Sequence, residues 1–260
     1  MYATSPMLVQ PPSTGVRIRN FLSYLRSLFF TDLLIYLYTA VCGTFSVCGS
    51  FFDAHGRWQH GCARVWSWLI LKTSRIDLSV AGTENIVPDE TVIFCSNHPS
   101  AMDIPILFVS LPVQFRFLAK RSLFHVPFLG WHLRRSGHIP VDRARPHEAL
   151  KGFDQAAKRI KEGRPVVVFP EGSRSRTNQM LPFKSGTFYL AILSGVPVVP
   201  ITLVGSRQVL KPDSLHIRPG RVRVIIHKAI PTAGLTVRDV SDLSRRVREQ
   251  IVSGLETVKD

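Results

Sequence analysis

The 260-residue sequence has no CxxC pair, and its four cysteines, Cys42, Cys48, Cys62 and Cys95, stand apart in apolar stretches without a Cys/His cluster at zinc spacing. They read as reduced packing residues rather than a disulfide frame or a metal site. No GxSxG occurs, which excludes a serine hydrolase built on a nucleophile elbow. Neither GxxxxGK[ST] nor GxGxxG follows a strand candidate, so the common nucleotide-binding readings fall away. Acidic residues are scarce: 18 Asp and Glu stand against 33 Lys and Arg, a net charge of +15. Such a chain seeks polyanions, whether nucleic acid, an anionic leaflet or phosphorylated substrates. Internal repeats are absent, and 45% hydrophobic content supports a substantial core rather than disorder of the whole chain.

Long charge-free runs are also rare, and the exception lies near the N-terminus. Pro11, Pro12 and several Ser and Thr mark a disordered end, taken as residues 1–19. Residues 33–52 then carry no charge over 20 positions, which at about 1.5 Å per residue matches a bilayer core. Gly43, Gly49 and several hydroxyl residues dilute this run, and Asp32 sits at its edge. Arg17, Arg19 and Arg26 before it balance Arg57, Arg64, Lys72 and Arg75 after it, so flanking charge sets no orientation. In the next segment Trp58, Cys62, Val65, Trp66, Leu69 and Ile70 fall on one helical face beside arginines, a composition suited to headgroup level. Residues 20–72 are therefore expected to form a membrane-associated helical hairpin that dips into one leaflet and returns. The alternatives are a single membrane span and a pair of buried core helices. A cleaved signal peptide fits poorly, because the run starts late, is too long and lacks a small-x-small site.

From Ile76 onward, apolar strand candidates at 77–80, 91–95, 138–141, 166–169, 198–203 and 221–226 alternate with helical patterns at 147–161 and 186–193. This predicts an α/β domain over residues 73–235, a mostly parallel central sheet flanked by helices. Val240, Leu243, Val247, Ile251 and Leu255 mark a C-terminal amphipathic helix within 236–260.

Three polar clusters follow strand candidates: Asn97-His98-Pro99-Ser100-Ala101-Met102-Asp103, Asp142-Arg143, and Glu171-Gly172-Ser173-Arg174-Ser175-Arg176. Carboxyl ends of strands are where α/β sheets bind ligands, so the clusters are expected to meet in one crevice. His98 with a carboxylate five positions on, at Asp103, can form a general-base dyad, yet Ser100-x-x-Asp103 reads equally as a capping box. Arg143, Arg174, Arg176 and Lys184 supply cations, and Gly172 lets backbone N–H groups approach an anion, which suits a phosphate. Solvated basic surface is the competing reading for the arginines.

The first of these blocks resembles the NHx4D box of the glycerolipid acyltransferases related to 1-acylglycerol-3-phosphate acyltransferase. Gly137-His138-Ile139-Pro140-Val141-Asp142-Arg143 is similar to the family's second block, Phe169-Pro170-Glu171-Gly172-Ser173-Arg174-Ser175 to its FPEGTRS third block, and Val196-Pro197-Val198-Val199-Pro200-Ile201 to its fourth. Lys120 and Pro127-Phe128-Leu129-Gly130-Trp131 also resemble the family. The resemblance implies acyl transfer from acyl-CoA or acyl carrier protein to the sn-2 hydroxyl of 1-acylglycerol-3-phosphate, giving phosphatidic acid, with His98 and Asp103 as catalytic residues. It implies that Arg143, Glu171, Gly172, Ser173 and Arg174 hold the acceptor phosphate, with Lys120, Arg176 and Lys184 as further acceptor or thioester contacts. It calls for no metal or cofactor, and implies a membrane bilayer and a lysophospholipid as partners, with no nucleic acid, at the cytoplasmic face of the cell membrane. Ser173 replaces the commoner Thr and Pro140 an aromatic residue. Other acceptors (glycerol 3-phosphate or a lyso-aminolipid) and a basic non-enzymatic membrane- or nucleic-acid-binding protein are the rival readings.

Overall fold

In the computed structural model the described residues are 14–53, 55–141, 153, 156–177 and 179–257. Seven strands form one sheet: β1 Ile76–Ala81, β2 Ile93–Ser96, β3 Arg116–Lys120, β4 Ile139–Val141, β5 Val166–Val168, β6 Val198–Val204 and β7 Gly220–Ile226. Their order is β1-β7-β6-β2-β5-β3-β4, and every neighbouring pair is parallel except β6 with β7. Strands β2, β5 and β6 are buried throughout except at Val204, the last residue of β6, as strands covered on both faces must be. The expected mostly parallel α/β sheet is therefore present. One strand was not anticipated: β3, whose buried Arg116 interrupts the apolar run. Its guanidinium donates to the carbonyls of Phe115 and His55, which makes a charged residue tenable inside a sheet.

Helices cover both faces. On one side α3 (Arg57–Thr73) and α4 (Asp103–Ser110) close a core containing Ile70, Phe94, Ile106, Phe117 and Ile201. On the other, helical residues 156–161, α6 (Gly186–Ser194) and α7 (Val240–Glu256) enclose Ile93, Val166, Phe188 and Ile251. The helix expected over 147–161 lies partly outside the described residues. A capping box of Thr236 and Asp239 closes the turn Val237–Asp239 that leads into α7, and α7 buries Leu243, Val247 and Ile251 as its periodicity predicts.

The N-terminal region begins with α1 (Thr14–Arg26), which starts inside the stretch 1–19 expected to be disordered; residues 1–13 lie outside the described residues. A π turn, Ser27–Thr31, joins it to α2 (Asp32–Gly49), so Ile18–Gly49 runs as one 32-residue helix, long and apolar enough to cross a membrane by length and composition. The π turn is strapped to the domain: Arg26 donates to the Ile217 carbonyl at 3.0 Å, and Ser27 donates to Leu215 while accepting from the Ile217 N–H. Helices α2 and α3 then form a hairpin, tied by Trp58 to the Phe45 carbonyl, Trp66 to Thr39 and Tyr38 to Thr73.

The glycines of the apolar run are contact points rather than dilution. A Cβ at Gly49 would lie 2.0 Å from the Trp58 indole nitrogen, and one at Gly43 would lie 2.9 Å from the Phe128 Cβ. The hairpin is thus docked on the α/β domain, with Ser46 bonded to His132 Nδ1 at 2.6 Å in α5 (Leu129–Arg135). Its outer side exposes Phe29, Phe30, Leu33, Tyr36, Leu37, Val41 and Phe45, with Trp58, Val65 and Trp68 from α3. The face expected on α3 is consequently split: Trp58 and Val65 point outward, whereas Ile70 is core and Cys62 and Trp66 line a cavity. A helix that touches both a protein and an open apolar surface needs apolar residues on two sides, which a single-face reading misses.

Candidate active site

Strand β2 ends at Ser96, and the chain leaves the sheet through Asn97. The Asn97 side chain donates to the Leu203 carbonyl at 3.0 Å and accepts the Leu203 N–H at 2.8 Å, so it pairs with the end of β6 as another strand residue would. This delivers His98 above the centre of the sheet. Its Nδ1 lies 2.8 Å from Asp103 Oδ2, which also accepts the Ser100 N–H at 2.8 Å, while Ser100 Oγ accepts the Met102 N–H. The His98 contact and one arm of the box, Ser100 N–H to Asp103, coexist: one carboxylate oxygen closes the loop and holds the ring. With that oxygen as acceptor, Nδ1 carries the hydrogen and Nε2 is left as the basic nitrogen.

Glu171 occupies a position not expected of a phosphate ligand. It is buried, with Oε1 accepting the His98 N–H at 2.8 Å and Oε2 the Leu181 N–H at 2.7 Å. Burial pushes its carboxyl above the usual range, and the two N–H donors oppose that shift. Its geometry serves the backbone around His98, and a carboxylate so engaged adds no donor for an anion. Gly172, at φ +72°, allows close approach: a Cβ there would lie 2.8 Å from Lys184 Cε. The Lys184 backbone is anchored to the Pro170 carbonyl.

Two cavities meet at His98, Lys120 and Arg174. One, of about 470 Å³, is walled by Cys42 and Gly43 of α2, Cys62 and Trp66 of α3, and Leu129 and His132 of α5, and is mostly apolar. The other is an open cleft that adds Gly172, Ser173, Arg176 and Lys184. The structure thus gathers His98, Asp103, Lys120, Glu171, Gly172, Ser173, Arg174, Arg176 and Lys184, whereas Arg143 lies outside the described residues. Arg176 sits at the rim, paired with Asp213 at 3.0 Å and largely exposed. Sequence reasoning missed Arg207, whose Nη1 donates to the Ser175 carbonyl at 2.6 Å, and Ser206, whose hydroxyl donates to Asp103 Oδ1. Neither lies in one of the sequence blocks, so no local signal marked them.

Residues 77–204 match the family described as Acyltransferase. The chain is 34% identical to a 1-acyl-sn-glycerol-3-phosphate acyltransferase of Saccharomyces cerevisiae, over 93% of this chain and 80% of the relative. It is 31% identical to one of Borreliella burgdorferi, over 77% of this chain and 79% of that protein. A Chlamydomonas reinhardtii relative of the same description is 36% identical over 68% of this chain, which spans about half of that longer protein, 53%. The crystal structure of the 1-acyl-sn-glycerophosphate acyltransferase PlsC of Thermotoga maritima superposes with a TM-score of 0.79 at 27% identity, covering 94% of this chain and 97% of the other. With the family match, relatives above 30% identity covered over most of their length and the matching fold, this chain belongs to the family of 1-acyl-sn-glycerol-3-phosphate acyltransferases.

Proposed function

We propose that the protein transfers a fatty acyl group from acyl-CoA or acyl carrier protein to the sn-2 hydroxyl of 1-acylglycerol-3-phosphate, giving phosphatidic acid. The observation that carries this reading is the position of His98, held through Nδ1 by Asp103 where an apolar cavity meets a cationic cleft. The acyl chain lies in the cavity and the acceptor phosphate in the cleft, on Arg174 and Lys184. His98 Nε2 takes the proton of the acceptor hydroxyl as its oxygen attacks the thioester carbonyl. The tetrahedral adduct collapses, the carbon–sulfur bond breaks, and the thiolate leaves as the thiol after taking the proton back from His98. A thioester is already activated, so positioning and one proton transfer supply much of the rate. The proposed steps call on no metal or cofactor.

The exposed apolar side of the hairpin supports attachment to a bilayer, and its docked inner side supports insertion into a single leaflet. We place the domain at the cytoplasmic face of the cell membrane, where acyl thioesters are available.

The test is product analysis by mass spectrometry. Purified protein in phospholipid vesicles is given 1-acylglycerol-3-phosphate, glycerol 3-phosphate and a lyso-aminolipid, each with acyl-CoA and with acyl carrier protein thioester. Phosphatidic acid should dominate; acylation confined to either other acceptor overturns the assignment.

A further inference from the structure

Asp103 is fully buried, and its carboxylate is held by more than the His98 pair. Oδ2 accepts from His98 Nδ1 and the Ser100 N–H, while Oδ1 accepts the Ser206 hydroxyl at 2.5 Å. Ser206 is itself fully buried and lies 103 residues further along the chain. We propose that Ser206 is a positioning residue of the acyl-transfer site, fixing the plane of the Asp103 carboxylate so that Oδ2 stays aimed at His98. This rests on the reading of His98 as the general base.

The terminal torsion of an Asp side chain is broad, so a carboxylate anchored on one oxygen can swing about its Cβ–Cγ bond. A donor on the other oxygen removes that freedom. A buried hydroxyl has a single hydrogen to donate, and here it goes to the carboxylate. It does not cap its own helix: Ser206 opens the one-turn helix Ser206–Val209, at whose start no side-chain cap bond is formed. The backbone is shaped to aim it. Gly205 has φ +90°, and a Cβ there would lie 2.2 Å from the Arg221 carbonyl oxygen, so only glycine lets the chain turn sharply off β6 at this point. Residues 203–210 then grip the loop around His98 three times, through Leu203 to Asn97, Ser206 to Asp103, and the Leu210 carbonyl to the Ser100 hydroxyl at 2.8 Å. Of these three, the Ser206 bond is the one made to the Asp103 carboxylate. No proton leaves it during the reaction.

The experiment measures kcat, KM for both substrates and thermal stability for the wild-type protein, Asp103→Asn and Ser206→Ala in the same vesicles. Ser206→Ala should lower kcat by about ten-fold or more, as loss of a hydrogen bond to a charged group does, with both KM values within about two-fold. Ser206→Cys, of similar size but a weak donor, should fall on the same side, and it replaces the alanine variant should that one fail to fold. If Asp103→Asn itself leaves kcat unchanged, the base assignment fails. If Asp103→Asn is impaired while the Ser206 variants keep wild-type kcat, or lose kcat, KM and thermal stability together, the positioning role is overturned and the base assignment stands.

Discussion

His98 lies flat on Phe169, with ring centroids 3.9 Å apart and planes inclined by 15°. Phe169 stacks in turn on Phe117 at 5.9 Å, and Phe117 on His138 at 6.0 Å, so the candidate base ends a row of rings that runs into the core. The segment that provides this floor also provides Glu171, which accepts the His98 N–H. One ring face, the main chain and Nδ1 are thereby fixed, and the Nε2 edge is the part of the imidazole left for substrate.

Removing the base should abolish transfer without unfolding the protein. His98→Ala should lose kcat by about 100-fold or more, and Asp103→Asn by a smaller factor through a misoriented ring. Circular dichroism shows whether the fold survives; a folded His98→Ala protein with near-normal turnover refutes the mechanism.

Glu171 and Arg174 should separate in steady-state kinetics. Glu171→Gln replaces one acceptor oxygen by a donor facing a backbone N–H, disturbing the loop around His98, so kcat should fall. Arg174→Ala should instead raise KM for the phosphate-bearing acceptor, the loss of a charge-assisted contact worth about 1.5–3 kcal/mol. Equal effects of both variants on acceptor KM would return Glu171 to the phosphate site.

Cavity volume should govern the acyl chain. Cys42 lines the apolar cavity from α2, and Cys42→Phe adds a ring to a space of about 470 Å³. Competition between short and long acyl thioesters should shift toward the short one; an unaltered ratio means the chain lies elsewhere.

Insertion into one leaflet leaves both ends of the Ile18–Gly49 helix on the same side of the membrane. Single cysteines introduced by Thr14→Cys and His55→Cys, with the native cysteines replaced, should both resist an impermeant thiol reagent in intact cells and react once the membrane is opened. Labelling of position 14 from outside while position 55 is protected would show a membrane-crossing helix.

Stability should fall on acidification. Burial lowers His132 to about 4, with Arg116 adding to the shift, and holds His138 well below the usual imidazole range. Unfolded imidazoles take up protons at about pH 6.5, whereas these two stay neutral in the fold. Between about 6.5 and about 4 the unfolded chain binds more protons, so each ring removes up to about 1.4 kcal/mol of stability per pH unit as pH falls. Urea midpoints followed across that window should decline less steeply for His132→Gln than for the wild-type protein, and parallel slopes would refute the account.

How much was legible depends on the range of the interaction concerned. Strands β2, β5 and β6 are short apolar runs bounded by breakers, and α7 repeats Leu243, Val247 and Ile251 at helical spacing. Strand β3 was hidden because Arg116 and Lys120 bracket it, and nothing local reveals that the carbonyl of His55, 61 residues away, receives the buried guanidinium. The Gly residues of α2 looked like weak points of an apolar helix, since the Phe128 and Trp58 contacts that require them come from later segments.

The sequence by itself determined the alternation of strands and helices, the apolar N-terminal run and the His98/Asp103 spacing, because each depends on residues a few positions apart. Only the tertiary structure decided that Glu171 holds the His98 main chain, that Ser206 holds the Asp103 carboxylate and that the hairpin walls an apolar cavity beside the dyad. Those contacts join positions 73 and 103 residues apart, and they exist because the sheet order sets β2 between β5 and β6, whose ends carry the partners. Strand order is a property of the packed sheet, which no local pattern records.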